Sequence, residues 1–486
     1  MTGRCLRFVL LLVIMLLPAQ WAAAQAPAKS QSAGSATPAN AHPQDDDAPY
    51  KISATEAKDL FREADEILEF ASKDSGLPIR HSVKKKLTSR DEVERFLRKH
   101  MAEDEDAQRM QRSELVLKKF GLLPRDFDLQ KFLIALLKEQ VAGYYDPKSK
   151  TVNLLDWIGL EQQRPVMAHE LTHVLQDQSF GLEKWMKADG GWDGKRMPTP
   201  RDLADDEVGT ARQAVVEGQA MAVLVDYMLA PTGQSLLTSP QIVEAMKSGL
   251  GAEGAQFRDA PIFLKETLVF SYRYGLDFVT AVLRKGGREK AFAGVLANPP
   301  RTSREIMEPS TYLAGEKLAP MPLADFGKDF PDYQIFDAGA MGEFDVAVLM
   351  QQYAGEDVSK ALYPHWRGGY YYAARPRRDA NAPIGLMYLS RWTTSDKAAQ
   401  FAAVYAKSLA GRYKQAQPVV KDGEIAPEVA AWWSLRGRHA WRTEEGTVVV
   451  EVQGNQVLVG ESLDDETLRR VETDLFGVAP SRAGSK

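Results

Sequence analysis

Residues 202–229 read as one long helix, and in the stretch QAVVEGQAMAVLV, residues 213–225, the only charged side chain is Glu217. A segment this apolar has to be enclosed by the rest of the chain. A carboxylate is tolerated there only beside a positive group or a metal. The fold must therefore wrap other elements around this helix and bring a partner to Glu217. Arg212 could supply it as an ion pair, and a bound metal could supply it instead. Gly218, with no side chain, lets another element come close at that point. A break near Gly209 would divide the stretch in two.

A second motif supplies a reason for the carboxylate. His169-Glu170-Leu171-Thr172-His173 has the form H-E-x-x-H. On a helix, positions i and i+4 put both imidazoles on one face, one turn apart, so that two nitrogens can reach one Zn²⁺. Glu170 lies about 100° round from His169 and can reach a water held by that ion. Met167, Leu171, Val174 and Leu175 form the apolar stripe of the same helix, expected over residues 165–178 with Pro165 in its first turn. The seven histidines stand at 42, 81, 100, 169, 173, 365 and 439, so none lies between His173 and His365. Gln176 and Ser179 occupy the Gly and His places of the longer H-E-x-x-H-x-x-G-x-x-H form. A carboxylate is thus expected as third ligand. Glu217 is the first choice, and Asp205, Asp206 and Glu207 on a more solvated stretch are alternatives. The expected cofactor is a single Zn²⁺.

The rest of the chain organises around these motifs. Residues 1–24 carry Arg4 and Arg7, an unbroken apolar run over 8–17, Pro18 and Ala22-Ala23-Ala24. These are the parts of a secretory signal peptide cleaved after Ala24. An uncleaved anchor is the alternative, although the run is short for a spanning helix. Cys5, the single cysteine, leaves with the leader, so the mature chain has no thiolate ligand. Residues 25–49, rich in Ala, Pro, Ser and Gln, read as a disordered linker. Residues 53–141 have helical periodicity, and 141–155 read as two short strands around Asp146-Pro147. Residues 263–285 form a helix stopped by Gly286-Gly287. Beyond about residue 340 strands are expected at 370–372, 386–392, 447–452 and 456–459, with helices at 395–409 and 464–475. The expected organisation is α+β: a mainly helical domain with a small β-sheet over 50–335, a smaller α+β domain over 336–478, and a tail from 479 to 486. Five of the nine tryptophans, Trp366, Trp392, Trp432, Trp433 and Trp441, fall in the second domain and are expected to fill its core or an interface.

His169 to His173, followed by Val216-Glu217-Gly218-Gln219-Ala220, resembles the gluzincin metallopeptidases, notably the peptidase-MA-like branch with an E-G-x-A glutamate. AGYYDPKSKTVNLL, residues 142–155, is similar to the strand and turn that precede H-E-x-x-H in such proteins, and HELTHVLQDQSF is similar to a secreted H-E-x-x-H group. The likeness covers roughly residues 120–315. It implies a zincin-like fold, His169, His173 and Glu217 as ligands, and Glu170 as general base. One departure stands out. Where the E-x-x-x-D version has an aspartate four residues after the ligand, this chain has Met221, and Asp177 or Asp226 would have to take its place. Gly339-Ala340-Met341-Gly342-Glu343 is similar to the aminopeptidase G-x-M-E-N motif, but it follows the histidines and lacks the Glu-Asn pair, so it is set aside.

Zinc peptidases need a donor for the oxyanion besides the metal. With no histidine nearby, a tyrosine is expected. Tyr272, three residues before Gly275 as in the Y-x-x-G of gluzincin aminopeptidases, is the candidate, with Tyr144 and Tyr145 as alternatives. The net charge of −5, from 61 basic and 66 acidic residues, offers no surplus for a phosphate backbone, so no nucleic-acid partner is expected. The expected function is an exported, periplasmic or extracellular, zinc endopeptidase acting on peptide or protein substrates, with no stable membrane span once the leader is removed. Residues 151–155 would act as an edge strand for the substrate. A silent zinc-binding scaffold and an amidase acting on cell-wall peptide use the same residues and remain as alternatives.

Overall fold

The computed structural model describes residues 12–14, 51–102, 105–187, 192, 194, 196–250, 254–420 and 433–477. Within them the molecule is α+β with two sheets. The expected leader, linker and tail lie outside these residues, except that Leu12–Ile14 forms a short strand, β1.

Ser53 starts the first helix, α1 (Ala54–Ser75). Its hydroxyl accepts from the Glu56 N–H while the Glu56 carboxylate accepts from the Ser53 N–H, and Gly76 ends the helix at φ 72°. This reciprocal cap satisfies two of the otherwise unpaired donors of the first turn. Next comes β2 (Lys84–Thr88), inside the region read as helical. Its KKKLT sequence has little intrinsic strand preference. Parallel pairing with a later strand supplies its backbone partners, and Lys85 is held by the Phe61 carbonyl at 2.8 Å. Tertiary context has overridden local propensity here. Helices α2 (Arg90–Ala102), α3 (Glu105–Phe120) and α4 (Leu129–Gln140) follow.

The expected hairpin is present as β3 (Val141–Asp146) and β4 (Thr151–Leu155). The small sheet runs β1-β3-β4-β2, with β4 antiparallel to β3 and parallel to β2. The strand at 151–155 is therefore interior, not an edge, because β2 takes up its free side. The H-E-x-x-H helix, α5 (Leu160–Phe180), begins five residues earlier than the proline suggests. The Gln163 amide bonds both the N–H and C=O of Leu155 and the Ile158 carbonyl, which fixes the turn before the helix. Pro165 lies inside the helix, and residues 166–177 are buried all round it, so the expected one-sided stripe is only part of a fully enclosed segment.

The helix carrying Glu217 is α6 (Pro200–Leu229), a single element with no break at Gly209. Thr199 caps it, Pro200 occupies its first turn, and Asp202 both completes the cap and takes a two-pronged bond from Arg196 at 2.6 and 2.7 Å. By composition α6 could span a bilayer, but 72% of its most apolar window is buried within the protein, as a core helix is. It packs along α7 (Ile262–Glu289), which leaves helical geometry at Gly287 (φ 74°), where the Gly-Gly pair was expected to stop it.

Near the expected second domain, β5 begins at Tyr333, so the boundary at 335 falls within a strand. After it come α8 (Glu343–Ala354), β6 (Trp366–Pro376), β7 (Gly385–Trp392), α9 (Ser395–Arg412), β8 (Ala416–Pro418), β9 (Gly437–Thr443), β10 (Gly446–Gln453), β11 (Gln456–Glu461) and α10 (Asp465–Phe476). They build a seven-stranded antiparallel sheet in the order β5-β6-β7-β11-β10-β9-β8. Trp366, Trp392 and Trp441 are buried in it as expected, whereas Trp433 is 85% exposed and Trp432 lies outside the described residues. One contiguous apolar cluster extends from Ile52 to Val459, joining the helices to this sheet. Phe120 at the end of α3 packs edge-on against Tyr371 and Tyr388, and α6 packs on β5. A buried ion cluster adjoins the joint. Arg412 holds Glu461 at 2.7 and 2.8 Å, Tyr405 donates to the same carboxylate at 2.6 Å, and Lys119 from α3 reaches Glu445 at 2.8 Å.

Candidate metal centre

Three elements bring the candidate residues together. Helix α5 packs against α6, and α6 against α7. The second contact is made by glycine on glycine. A Cβ built on Gly218 would lie 2.3 Å from the backbone of Gly275, and one on Gly275 would lie 2.2 Å from the Ala214 carbonyl. The close approach anticipated at Gly218 is thus present, and its partner is α7. On the other side β3 lies close over α5, since a Cβ on Gly143 would meet Val166 at 2.8 Å and Glu170 at 3.9 Å.

His169, His173 and Glu217 converge, all buried. The two Nε2 atoms are 3.0 Å apart, and Glu217 Oε2 lies 3.1 Å from His169 Nε2 and 3.5 Å from His173 Nε2. For ligand bonds of about 2.0–2.1 Å, the edge of a tetrahedron is about 3.3 Å, so this triangle is the size of one face of such a site. Arg212 takes no part. It donates to the Trp185 carbonyl and stacks on the Trp185 ring. Burial draws the His169 pKa down to about 4, with the Glu217 hydrogen bond opposing. Burial acts the same way on His173, but the Glu217 charge outweighs it and holds that ring up to about 9. Burial would raise Glu217, yet the His173 charge and both imidazole hydrogen bonds keep it below the usual carboxylate range. The three donors thus compete for one positive charge in a dry pocket, and a metal cation can occupy that place.

Glu170 sits fully buried beside the triangle; among the described residues no side chain bonds its carboxylate, the Tyr145 backbone N–H faces it, and burial pushes it up to about 8. The Tyr272 ring lies 6.2 Å from the His169 ring, centre to centre. The other candidate tyrosines point elsewhere. Tyr145 donates to Asp177 at 2.6 Å, and Tyr144 packs tilted against Phe96 on the far face of the small sheet.

The candidate second carboxylates do not reach the ligands. Asp177 takes Tyr145, Lys150 and the Leu182 N–H, and Asp226 takes the Leu236 N–H. Glu207 is likewise not a ligand: its carboxylate accepts from the Ser303 N–H and hydroxyl, against Gly342. Gly339 lies against Asp206, so the set-aside glycine-rich segment packs on the N-terminal half of α6. Glutamines do what the missing aspartate would have done. Gln176 accepts from His173 Nδ1 at 2.9 Å, and Gln213 donates to Glu217 Oε1 at 2.7 Å. Their sequence signal was spacing: Gln176 falls three residues after His173, and Gln213 four before Glu217, each on the ligand's own face. Comparison with protein-family models, with curated proteins and with solved structures finds no match to this chain.

Proposed function

We propose that this chain is an exported zinc-dependent peptidase related to the gluzincins, with a single Zn²⁺ held by His169, His173 and Glu217. The observation that carries the reading is the buried donor triangle with the fully buried Glu170 carboxylate beside it. The order of parts supports it further: a small sheet laid on the H-E-x-x-H helix, and a third ligand on the long helix that follows. Zinc at such a site lowers the pKa of water toward about 7 and polarises a carbonyl.

The chain's own residues do the rest. Glu170 takes the proton from the attacking water and hands it to the leaving amine. The Tyr272 hydroxyl, on the His169 side, donates to the developing oxyanion. Substrate binding follows from the sheet. Removal of residues 1–24 takes β1 away and leaves the outer backbone of β3, next to the helix bearing Glu170, as the edge of the sheet. An extended peptide can add to that edge as a strand, which suits an endopeptidase.

Protein lacking residues 1–24 should bind zinc and cleave peptides. Glu170→Gln should keep the zinc and lose about 10²–10⁴-fold in rate, since an amide cannot accept the proton. Zinc content unchanged by His169→Ala, or equal activity of Glu170→Gln and wild type, would overturn the proposal. Zinc without hydrolysis of any peptide, cell-wall stem peptides included, would leave a binding scaffold in its place.

A further inference from the structure

Behind His173 runs a chain of buried amides with a forced direction. The Gln219 side-chain nitrogen lies 2.8 Å from the Ala291 carbonyl and 3.1 Å from the Phe292 carbonyl. Those groups only accept, so the NH₂ of Gln219 must face them. Its Oε1 therefore faces Gln176 Nε2 at 2.9 Å, and the second hydrogen on that nitrogen goes to the Val216 carbonyl at 3.1 Å. This leaves Gln176 Oε1, an acceptor, against His173 Nδ1 at 2.9 Å. Neither amide can be turned over without setting NH₂ against NH₂ or oxygen against carbonyl. Gln176, Gln219 and His173 are all fully buried, so bulk solvent does not reach them to relieve a reversed orientation. The carbonyls at the far end belong to a π-helical turn, Lys290–Gly294, just past the Gly287 kink. Such turns are rare, and this one anchors the relay.

We propose that Gln176 and Gln219 are positioning residues that hold His173 in the Nδ1–H form and so aim a bare Nε2 lone pair at the ligand triangle. The inference rests on the metal-site reading above and extends it to residues that touch no ligand-binding atom. The relay is uncharged. A carboxylate at the same place would make the imidazole a stronger donor, and an amide chain orients the ring without doing so. It also ties α5, α6 and the turn after α7 into one unit, since Val216 adjoins Glu217.

Gln219→Met and Gln176→Met keep volume and remove the amides. With Gln219→Met, the Gln176 NH₂ loses one of its two acceptors and is held only by the Val216 carbonyl at 3.1 Å, so the flipped amide and the wrong His173 tautomer become more accessible. The proposal expects each variant, with its unfolding temperature recorded, to weaken zinc and cobalt binding by about 10–100-fold. The double variant should be little worse than either single one, because the two act in series. In metal-free protein, at a pH where the ring is neutral, ¹⁵N imidazole spectra should show His173 as Nδ1–H in wild type and shifted toward Nε2–H in Gln219→Met. That arm stands even if wild type binds no zinc, so failure of the metal reading and failure of the relay are separable. Unchanged ring shifts in both variants would overturn the proposal. Additive affinity losses would do so as well, since they would mark independent structural roles.

Discussion

Gly218→Ala tests the packing that assembles the site. The added methyl would lie 2.3 Å from the carbonyl carbon and oxygen of Gly275 and 2.8 Å from its Cα. An unstrained carbon contact needs about 3.5 Å, so α6 and α7 must part by about 1.2 Å. Backbone cannot rotate away as a side chain does. Overpacking of this kind costs about 1–3 kcal/mol, and the gain of about 1 kcal/mol in helix propensity offsets part of it. Stability of metal-free protein should fall by up to about 2 kcal/mol in urea unfolding. The effect on the metal should be larger in kind. Glu217 is the neighbouring residue, and its oxygen sits within 3.1–3.5 Å of two imidazole nitrogens. A displacement near 1 Å takes it out of ligand range, and zinc titration should show affinity falling at least tenfold, about 1.4 kcal/mol. Gly411→Ala is the control. Its methyl would meet only Tyr353, at 3.4 Å, so it should be neutral or stabilising. A Gly218→Ala protein as stable as wild type, with unchanged zinc affinity, would refute the claim that this glycine contact sets the site.

Tyr272→Phe should lower kcat by about 10²–10³-fold with zinc content unchanged; a fall in unfolding temperature with activity per folded molecule intact would make it a core tyrosine instead. Burial, reinforced by the Asp345 carboxylate, pushes Glu207 up to about 7 from 4.5. The folded state then holds the extra proton between those values, so this residue's contribution to stability is present below about pH 4.5 and is lost as pH rises toward 7. Glu207→Gln should flatten that slope, by up to about 3 kcal/mol across the window, and identical pH–stability curves would rule the effect out. Glu461→Gln leaves the buried Arg412 guanidinium without its carboxylate and should cost about 3–5 kcal/mol in urea unfolding; a loss under 1 kcal/mol would show that the bond Arg412 also donates to the Lys119 carbonyl suffices.

The convergence of His169, His173 and Glu217 was legible in the sequence because its logic is local. Two histidines one turn apart need only a helix, and Glu217 stands out by charge against its neighbours. Gly218 announced a close contact without naming its partner, since Gly275 comes from an element 57 residues away. What escaped is non-local. The strand at 84–88 has no pattern of its own and exists because β4 pairs with it. The reading of 151–155 as an edge failed for the same reason. The second domain showed its most β-branched and aromatic strands, while β5, β8 and β9, with their glycines, arginines and short length, gave no alternation to read. The amide relay escaped because the spacing of Gln176 from His173 says nothing of Gln219 or of the carbonyls beyond it, which come from two further elements.

The grip of α3 on the C-terminal sheet has a kinetic consequence. Lys119 and Glu445 meet across a sequence separation of 326 residues. Relative to a 20-residue loop, that is about four doublings, or roughly 2.4 kcal/mol of added closure entropy before the contact returns anything. Phe120 likewise waits for Tyr371 and Tyr388. A chain emerging from its N-terminus therefore carries both histidines and Glu217 long before it carries the strands that seat α3 and back α6. Its helices form early and dock late, as expected where native contacts join distant parts of a sequence. That ordering delays the assembled His169–His173–Glu217 group until nearly the whole polypeptide has been delivered.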